Sequence, residues 1–274
     1  LASQTKEVLE GGCDEVIAEL LALNGSSAGA RPKALIGVDK ERKNISYGAH
    51  QLSDGFEPWM VKFPNSQDGN DSGAIEYVYA LMAKEAGIAM PNVHLFSSQK
   101  GNGYFAVKRF DREGNKRLHM HTVSGLIHSN FRFPSLDYED LLSLTSYLTK
   151  DIREVEKMFR LAVFNVMAHN QDDHAKNFSF LMNELGEWKL SPAYDLTFSN
   201  GPGGEQSTMV LGEGRNITLQ HLLKLGTEAQ LSKNFIESVI DQTRSAIDKW
   251  TDLAKYYGVS DSNINFINRS ISKW

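Results

Sequence analysis

Five residues stand in an order that suits phosphoryl transfer: Lys62, Glu76, Asp172, Asn177 and Asp195. That reaction asks a protein for little covalent work; it needs phosphates held in place, negative charge offset and a nucleophilic hydroxyl oriented. Lys62 ends an apolar run and can reach phosphates from a strand, while Glu76, fourteen positions later, can hold its ammonium from the following helix. Asp172 and Asn177 keep the five-residue interval of a kinase catalytic loop. Asp172 would then accept or orient the proton of the substrate hydroxyl. Asn177 offers an amide oxygen and Asp195 a carboxylate, a pair that suits Mg²⁺, which takes few protein oxygens beside waters and phosphates. Each residue alone has an ordinary reading: a strand-end lysine snorkels, an early helical glutamate complements the helix dipole, and an Asp/Asn pair lines a solvated turn. The joint order favours the chemical reading.

The elements that would carry these residues follow from periodicity. Val16, Ile17, Leu20 and Leu21 recur at helical steps, which predicts an amphipathic helix over 13–23 that ends at Asn24-Gly25. The small-residue loop 24–33 feeds Ala34-Leu35-Ile36-Gly37-Val38, a buried-strand pattern, and its glycines suit a loop that approaches a ligand. Trp59 to Phe63 reads as another strand, stopped by Pro64, and 65–71 as a loop. Asp71 or Ser72 can cap a helix with Val78, Leu81, Met82 and Glu85 at helical spacing, with Glu76 in its first turns and Gly87 as its stop. Residues 93–96 and 104–107 read as paired strands.

Beyond residue 115 the pattern is mostly helical. Asp151 and Glu154 form a capping-box pattern that opens a helix with the face Ile152, Val155, Phe159, Ala162, Val163 and Val166, and this helix delivers Asp172 beyond its carboxyl end. Strands over 178–182 and 188–190 form a hairpin leading to Ser191-Pro192-Ala193-Tyr194-Asp195. Leu231, Phe235, Val239, Thr243, Ile247, Trp250 and Tyr257 outline a long closing helix or helix pair ended by Gly258. The charged, turn-rich stretch 108–114 is the expected boundary between an N-lobe, 1–112, and a C-lobe, 113–274, that share a cleft.

Composition narrows the classes. A chain of 274 residues, 41% of them hydrophobic, can bury a full core. A formal net charge of −5 gives no overall electrostatic reason to bind nucleic acid or an anionic membrane. The lone Cys13 rules out an internal disulfide. The absence of a long apolar stretch and of a signal-peptide pattern at residues 1–7 leads us to expect a soluble, cytoplasmic protein; Leu1 in place of Met reads as a trimmed or cleaved start. The loop before Ala34 is not a Walker loop, because Gly29 is followed by Ala30-Arg31-Pro32 rather than by Lys and then Ser or Thr. His119 and His121 alternate as on a strand and read as packing residues.

Ser26-Ser27-Ala28-Gly29-Ala30-Arg31-Pro32-Lys33, Asp173-His174-Ala175-Lys176-Asn177-Phe178-Ser179 and Leu190-Ser191-Pro192-Ala193-Tyr194-Asp195 carry a resemblance to the HipA-like serine/threonine kinases, the toxin components of bacterial toxin–antitoxin modules. Ala106-Val107-Lys108-Arg109-Phe110-Asp111-Arg112 is similar to the family's segment between the lobes. The resemblance implies an α+β, two-lobed, protein-kinase-like fold with a mixed α/β N-lobe and a mainly helical C-lobe, in a compact form lacking most of the family's amino-terminal subdomain. It implies ATP and Mg²⁺ as cofactors, Asp172 as the catalytic aspartate, Asn177 and Asp195 as metal ligands, and Lys62, Glu76, Lys108, Phe110 and His174 as nucleotide-contacting residues. It further implies self-phosphorylation at Ser26, with Ser27 as the fallback position, a protein substrate such as an aminoacyl-tRNA synthetase or other translation factor, and a HipB-like DNA-binding antitoxin as partner. No direct nucleic-acid or membrane binding is expected. Asp173 sets a second carboxyl beside Asp172 and is expected to raise its proton affinity. A second reading, a small-molecule phosphotransferase on the same fold, would use the same residues; a third, a non-catalytic ATP-binding subunit that tethers a DNA-binding antitoxin, has the intact Asp172, Asn177 and Asp195 against it.

Overall fold

The computed structural model describes residues 4–7, 32–47, 52, 54–64, 69–98, 101–128 and 136–274. The helix predicted over 13–23 and the candidate serines Ser26 and Ser27 lie outside the described residues. The chain divides into two compact units. Unit 1 comprises Leu1–Val78, Pro91–Arg117 and Leu253–Asn263; unit 2 comprises Tyr79–Met90, Leu118–Asp252 and Ile264–Trp274.

Unit 1 is built on a six-stranded antiparallel sheet in the order β1-β3-β2-β4-β6-β5. Its strands are β1 (Gln4–Glu7), β2 (Lys33–Asp39), β3 (Asn44–Tyr47), β4 (Phe56–Lys62), β5 (Val93–Phe96) and β6 (Tyr104–Lys108). Alternation decides which side chains are inside. Ala34, Ile36 and Val38 of β2 share one buried cluster with Trp59 and Val61 of β4, and Phe63, Ile45, Tyr47, Phe96 and Ala106 complete it. Leu35, on the opposite side of β2, is 54% exposed. Full burial of a valine, isoleucine or phenylalanine side chain in this cluster contributes roughly 1.5–3 kcal/mol. Because successive side chains leave a strand on opposite faces, Lys62 departs β4 on the face opposite Val61. A short hairpin, β7 (Arg112–Glu113) and β8 (Lys116–Arg117), follows β6.

Helix α1 (Ser72–Glu85) passes from unit 1 into unit 2. Its first turn is set by a close approach: a Cβ on Gly73 would collide with the carbonyl oxygen of Gly103, itself at φ +102°. Only glycine permits both the contact and that backbone angle. Asp71 departs from its expected capping role. Its backbone carbonyl accepts the Ile75 amide at 2.8 Å, but its carboxylate accepts from Asn102 Nδ2 (2.5 Å), the Ser260 amide (2.9 Å), Ser260 Oγ (2.5 Å) and Asn263 Nδ2 (2.7 Å). It joins three segments of unit 1.

Unit 2 begins its sheet with β9 (His119–Thr122), the edge of a three-stranded sheet ordered β12-β11-β9. His119 and His121 lie opposite Met182 and Phe180 in register, and the His119 ring packs edge-on against Trp188 at 5.5 Å. The short helix α2 (Val123–Leu126) follows, then β10 (Leu136–Asp137), α3 (Tyr138–Thr149) and α4 (Ile152–Met167). Asp151 caps α4 by accepting the Arg153 amide at 2.9 Å. Glu154, expected to complete a capping box, turns inward instead: its carboxylate accepts the Leu190 amide at 2.9 Å and pairs with Lys157 at 2.6 Å. Ile152, expected on the buried face, is 54% exposed, whereas the remaining predicted positions are buried. The hairpin of β11 (Ser179–Met182) and β12 (Trp188–Leu190) turns through Asn183, whose Oδ1 accepts the amides of Leu185 and Glu187. Strand β13 (Thr208–Met209) pairs in parallel with β10, and α5 (Leu219–Glu228), α6 (Lys233–Ile247), α7 (Trp250–Tyr256) and α8 (Asp261–Ile271) follow. The predicted closing helix is the pair α6 and α7, stopped by Gly258 at φ +79°. No helix among the described residues is long and apolar enough to cross a membrane.

Burial alone would raise the Asp71 carboxyl, but its hydrogen bonds from Ser260, Asn263 and Asn102 outweigh that and hold it below the ordinary carboxylate range. A depressed folded-state value contributes stability above the unfolded value, and that stability is lost as pH falls through the folded one. Asp71→Ala is expected to cost about 2–4 kcal/mol in urea unfolding at pH 7. Its difference from the parent should shrink at pH values below about 4.

Candidate active site

The expected residues fall into two groups, one in each unit. In unit 1, Lys62 closes β4 and Glu76 stands early in α1. Lys62 Nζ meets Glu76 Oε1 at 2.5 Å, with the two side chains only 9% and 2% exposed. Removing one partner of such a buried pair leaves an uncompensated charge, so the two hold each other in place. The ammonium also lies 5.8 Å from the centre of the Phe105 ring. Lys62, Glu76 and the first-turn residues Ser72 and Gly73 line one small pocket. A lysine beside a helix amino terminus suits an anionic group, because the first amides of a helix have no partner within it. Lys108 ends β6 and donates to Glu57 Oε1 at 2.6 Å. Phe110 follows in the turn before β7, after Arg109, whose amide donates to the Pro58 carbonyl at 2.9 Å.

In unit 2, α4 delivers its carboxyl end to an irregular loop. His169 adopts φ +55° and reverses the chain, and its ring stacks on Phe198 at 5.1 Å. The Asn170 side chain donates to Asn165 Oδ1 (2.9 Å) and accepts from Ser199 Oγ (2.9 Å). The same Ser199 hydroxyl accepts the Asp172 amide at 3.1 Å. Gln206 Nε2 donates to the Asn170 carbonyl (2.7 Å), and the Ser207 amide donates to that of Gln171 (3.0 Å). Asn177 closes the loop: its amide donates to the His174 carbonyl and its Nδ2 to the Asp172 carbonyl, both at 2.8 Å. The side-chain oxygen is then the end of the amide that a metal ion can use. Asp195, at φ +60°, lies in the left-handed region that aspartate tolerates better than most residues. Its neighbour Tyr194 donates to the Lys176 carbonyl at 2.7 Å and meets Ser179 Oγ at 2.5 Å. Burial pushes the Tyr194 hydroxyl up to about 12.

Asp172 exposes 60% of its side chain, with Oδ1 4.0 Å from His174 Nε2. Its carboxyl is raised above the ordinary value first by partial desolvation, opposed by His174 and reinforced by the charge of Asp195. The expected effect of Asp173 is not what the structure records: its side chain turns away into the interior, fully buried. Asp173 Oδ2 accepts from Tyr138 Oη (2.5 Å) and Gln206 Nε2 (2.9 Å), and Oδ1 accepts the Thr208 amide (3.0 Å). Burial outweighs these donors and pushes its carboxyl up to about 7. Asn165, Ser199, Gln206 and Thr208, which hold the loop, gave no signal in the sequence because they belong to no chemical motif.

Among the described residues no group of three or more His, Cys, Asp or Glu side chains is placed to hold a metal ion. Asn177 could offer a metal ion one amide oxygen, and Asp195, beyond the following hairpin, one carboxylate; such a donor set would fit Mg²⁺.

The family model of the HipA-like C-terminal domain matches residues 25–251. This chain belongs to the HipA-like family. The candidate kinase Y4dM of Sinorhizobium fredii is 24% identical over 212 residues, which cover 70% of this chain and 50% of Y4dM. A candidate kinase of Haemophilus influenzae is 24% identical over 135 residues, covering 44% of this chain and 39% of its own. The chain thus spans half or less of the length of these curated relatives. A HipA chain from a Shewanella oneidensis toxin–antitoxin complex of HipA, HipB and operator DNA superposes with a TM-score of 0.68 at 18% identity, covering 98% of this chain and 70% of that one. The Helicobacter pylori proinflammatory kinase CtkA superposes with a TM-score of 0.52 at 14% identity, covering 86% of this chain and 93% of that one. The fold is α+β and protein-kinase-like, with a mixed α/β part and a mainly helical part, as the HipA-like resemblance implied.

A carboxyl raised on folding contributes stability that is present below the unfolded value and lost as pH rises through the folded one. Asp173→Asn cannot titrate. From pH 4.5 to 7.5 the unfolding free energy of the parent should therefore fall by roughly 3 kcal/mol relative to this variant. Paired urea titrations would read this difference, and a constant gap between the proteins would contradict the assignment.

Proposed function

We propose that this chain is an ATP-dependent serine/threonine protein kinase of the HipA-like toxin group. The observation that carries the reading is the loop 170–177, which keeps Asp172 exposed while fastening the residues on either side of it, and which fixes the Asn177 amide on the Asp172 carbonyl. Asp172 takes or orients the proton of the attacking hydroxyl, and its raised carboxyl is a better proton acceptor than an ordinary aspartate. Asn177 and Asp195 hold Mg²⁺, which when bound offsets charge on the phosphates. Lys62 contacts the phosphates of ATP with Glu76 holding its ammonium, and Lys108, Phe110 and His174 contribute further nucleotide contacts.

The substrate is a protein hydroxyl, with an aminoacyl-tRNA synthetase or another translation factor as the class that the family resemblance favours. The HipA-like chain also modifies itself at Ser26, or at Ser27. A phosphate there brings nearly two negative charges, which Lys and Arg neighbours can hold. The presence of HipB in the Shewanella oneidensis complex supports a HipB-like DNA-binding antitoxin as partner.

Intact-mass measurement of phosphatase-treated protein after incubation with ATP and Mg²⁺, with fragmentation across residues 24–33, tests the reading. Phosphate is expected on Ser26 or Ser27 of the parent protein. In Asp172→Asn, transfer should fall by about 10²–10⁴-fold while ATP binding persists. Asp195→Ala should weaken Mg²⁺-dependent nucleotide binding by about tenfold or more. Near-normal transfer by Asp172→Asn would sink the assignment, and ATP binding with no transfer to any hydroxyl would favour a regulatory subunit.

A further inference from the structure

A second concavity lies in unit 1, and neither Lys62 nor Glu76 lines it. It is bounded by Leu35 and Gly37 of β2, Leu52, Pro58 of β4 and the β7–β8 hairpin. Pro58 stands four positions before Lys62 on the same strand, a distance of about 13 Å. Arg109, Arg112 and Arg117 all line this pocket.

The three guanidiniums share too little negative charge. Arg109 grips Asp111 through Nε–Oδ1 (2.9 Å) and Nη2–Oδ2 (2.7 Å), while Arg112 Nη1 reaches the same Oδ2 at 2.5 Å. Arg117 faces Arg112 across the hairpin register. Its guanidinium has no ion pair or hydrogen bond among the described residues. One carboxylate among three arginines leaves an excess of two positive charges. Burial first, and then the charges of Arg109 and Arg117, hold Arg112 below the ordinary guanidinium range. With Arg109 and Arg112 only 21% and 19% exposed, water screens this crowding poorly. Asn115 spends its side-chain oxygen on the Leu52 amide at 3.3 Å, which leaves its Nδ2 hydrogens as donors. Guanidinium forks and an amide donor beside an apolar wall match an oxyanion attached to an organic body.

We infer that this pocket binds a small organic phosphate, with its dianionic head on Arg112, Arg117 and Asn115 and its apolar part against Leu35, Leu52 and Pro58. The site draws on none of the residues assigned to phosphoryl transfer and stands apart from that reading.

Phenyl phosphate and inorganic phosphate, titrated into the full chain by ligand-observed NMR without divalent cations, provide the test, with Mg²⁺-ATP binding measured on the same samples. Phenyl phosphate should bind the parent and Lys62→Gln equally and several-fold more tightly than inorganic phosphate. Arg117→Gln, on the exposed hairpin, should weaken it by about tenfold and leave Mg²⁺-ATP binding unchanged. Arg112→Gln should weaken it as well, with melting temperature reporting whether the variant is folded. Undiminished binding by Arg117→Gln, loss of binding in Lys62→Gln, or no binding by the parent would each overturn the inference. Failure of the kinase reading would appear separately, as absent ATP binding or transfer.

Discussion

A loop that must present one carboxylate to solvent cannot rely on helix or sheet ladders to satisfy its own backbone, so side chains must do that work. In this molecule the buried carboxyl of Asp173 is the centre of that arrangement. It draws in Tyr138 at the start of α3, Gln206, and the Thr208 amide in β13, and Gln206 reaches the Asn170 carbonyl as well. Ser199 performs the same service for Asn170 and Asp172. A polar network with every member satisfied is rigid, and a partly satisfied one is costly, so the loop's geometry depends on all of these contacts being made together. Asp172 remains accessible because the residues on either side of it, Gln171 and Asp173, are buried.

Unit 1 positions its charged pair by a different device. The alternation of β4 puts Val61 into the apolar cluster and Lys62 on the other face, and the glycine-to-glycine approach of α1 to residue 103 sets the height at which Glu76 arrives. Neither step uses the charge of Lys62 or Glu76, yet together they bring the two within hydrogen-bond distance with almost no exposure. The pair is an outcome of packing, and packing supplies what its desolvation costs.

Patterns of short range were legible in the sequence. The strands β2, β4, β5 and β6, the helices α1 and α4, and the hairpin after the Asp172 loop each follow a local period; most ends differ from expectation by a residue or two, as at Lys33 and Asp39, while β4 starts three residues earlier, at Phe56. The five-residue interval from Asp172 to Asn177 was legible for the same reason, since one hydrogen bond spans it. What could not be read was long in range. Ser199 lies 27 positions from Asp172, and Tyr138 lies 35 from Asp173, with no periodicity to connect them. The same blindness gave Asp173 an influence on Asp172 that belongs to burial and Asp195, and it gave Glu154 a local cap when its partner is Leu190.

The carboxylate of Asp71 has an implication for how the molecule is made. Its partners Ser260 and Asn263 follow it by 189 and 192 positions. At synthesis rates of about 5–20 residues per second, roughly 10–40 s pass between the emergence of Asp71 and that of Ser260. During that interval the sheet of unit 1 can pair, because its strands are close in sequence, and Asn102 can reach Asp71, but the carboxylate still lacks its partners at Ser260 and Asn263. The nascent chain therefore holds a folded sheet beside a helix start that is only partly clamped, and Ser260 and Asn263 act as the latch that completes it.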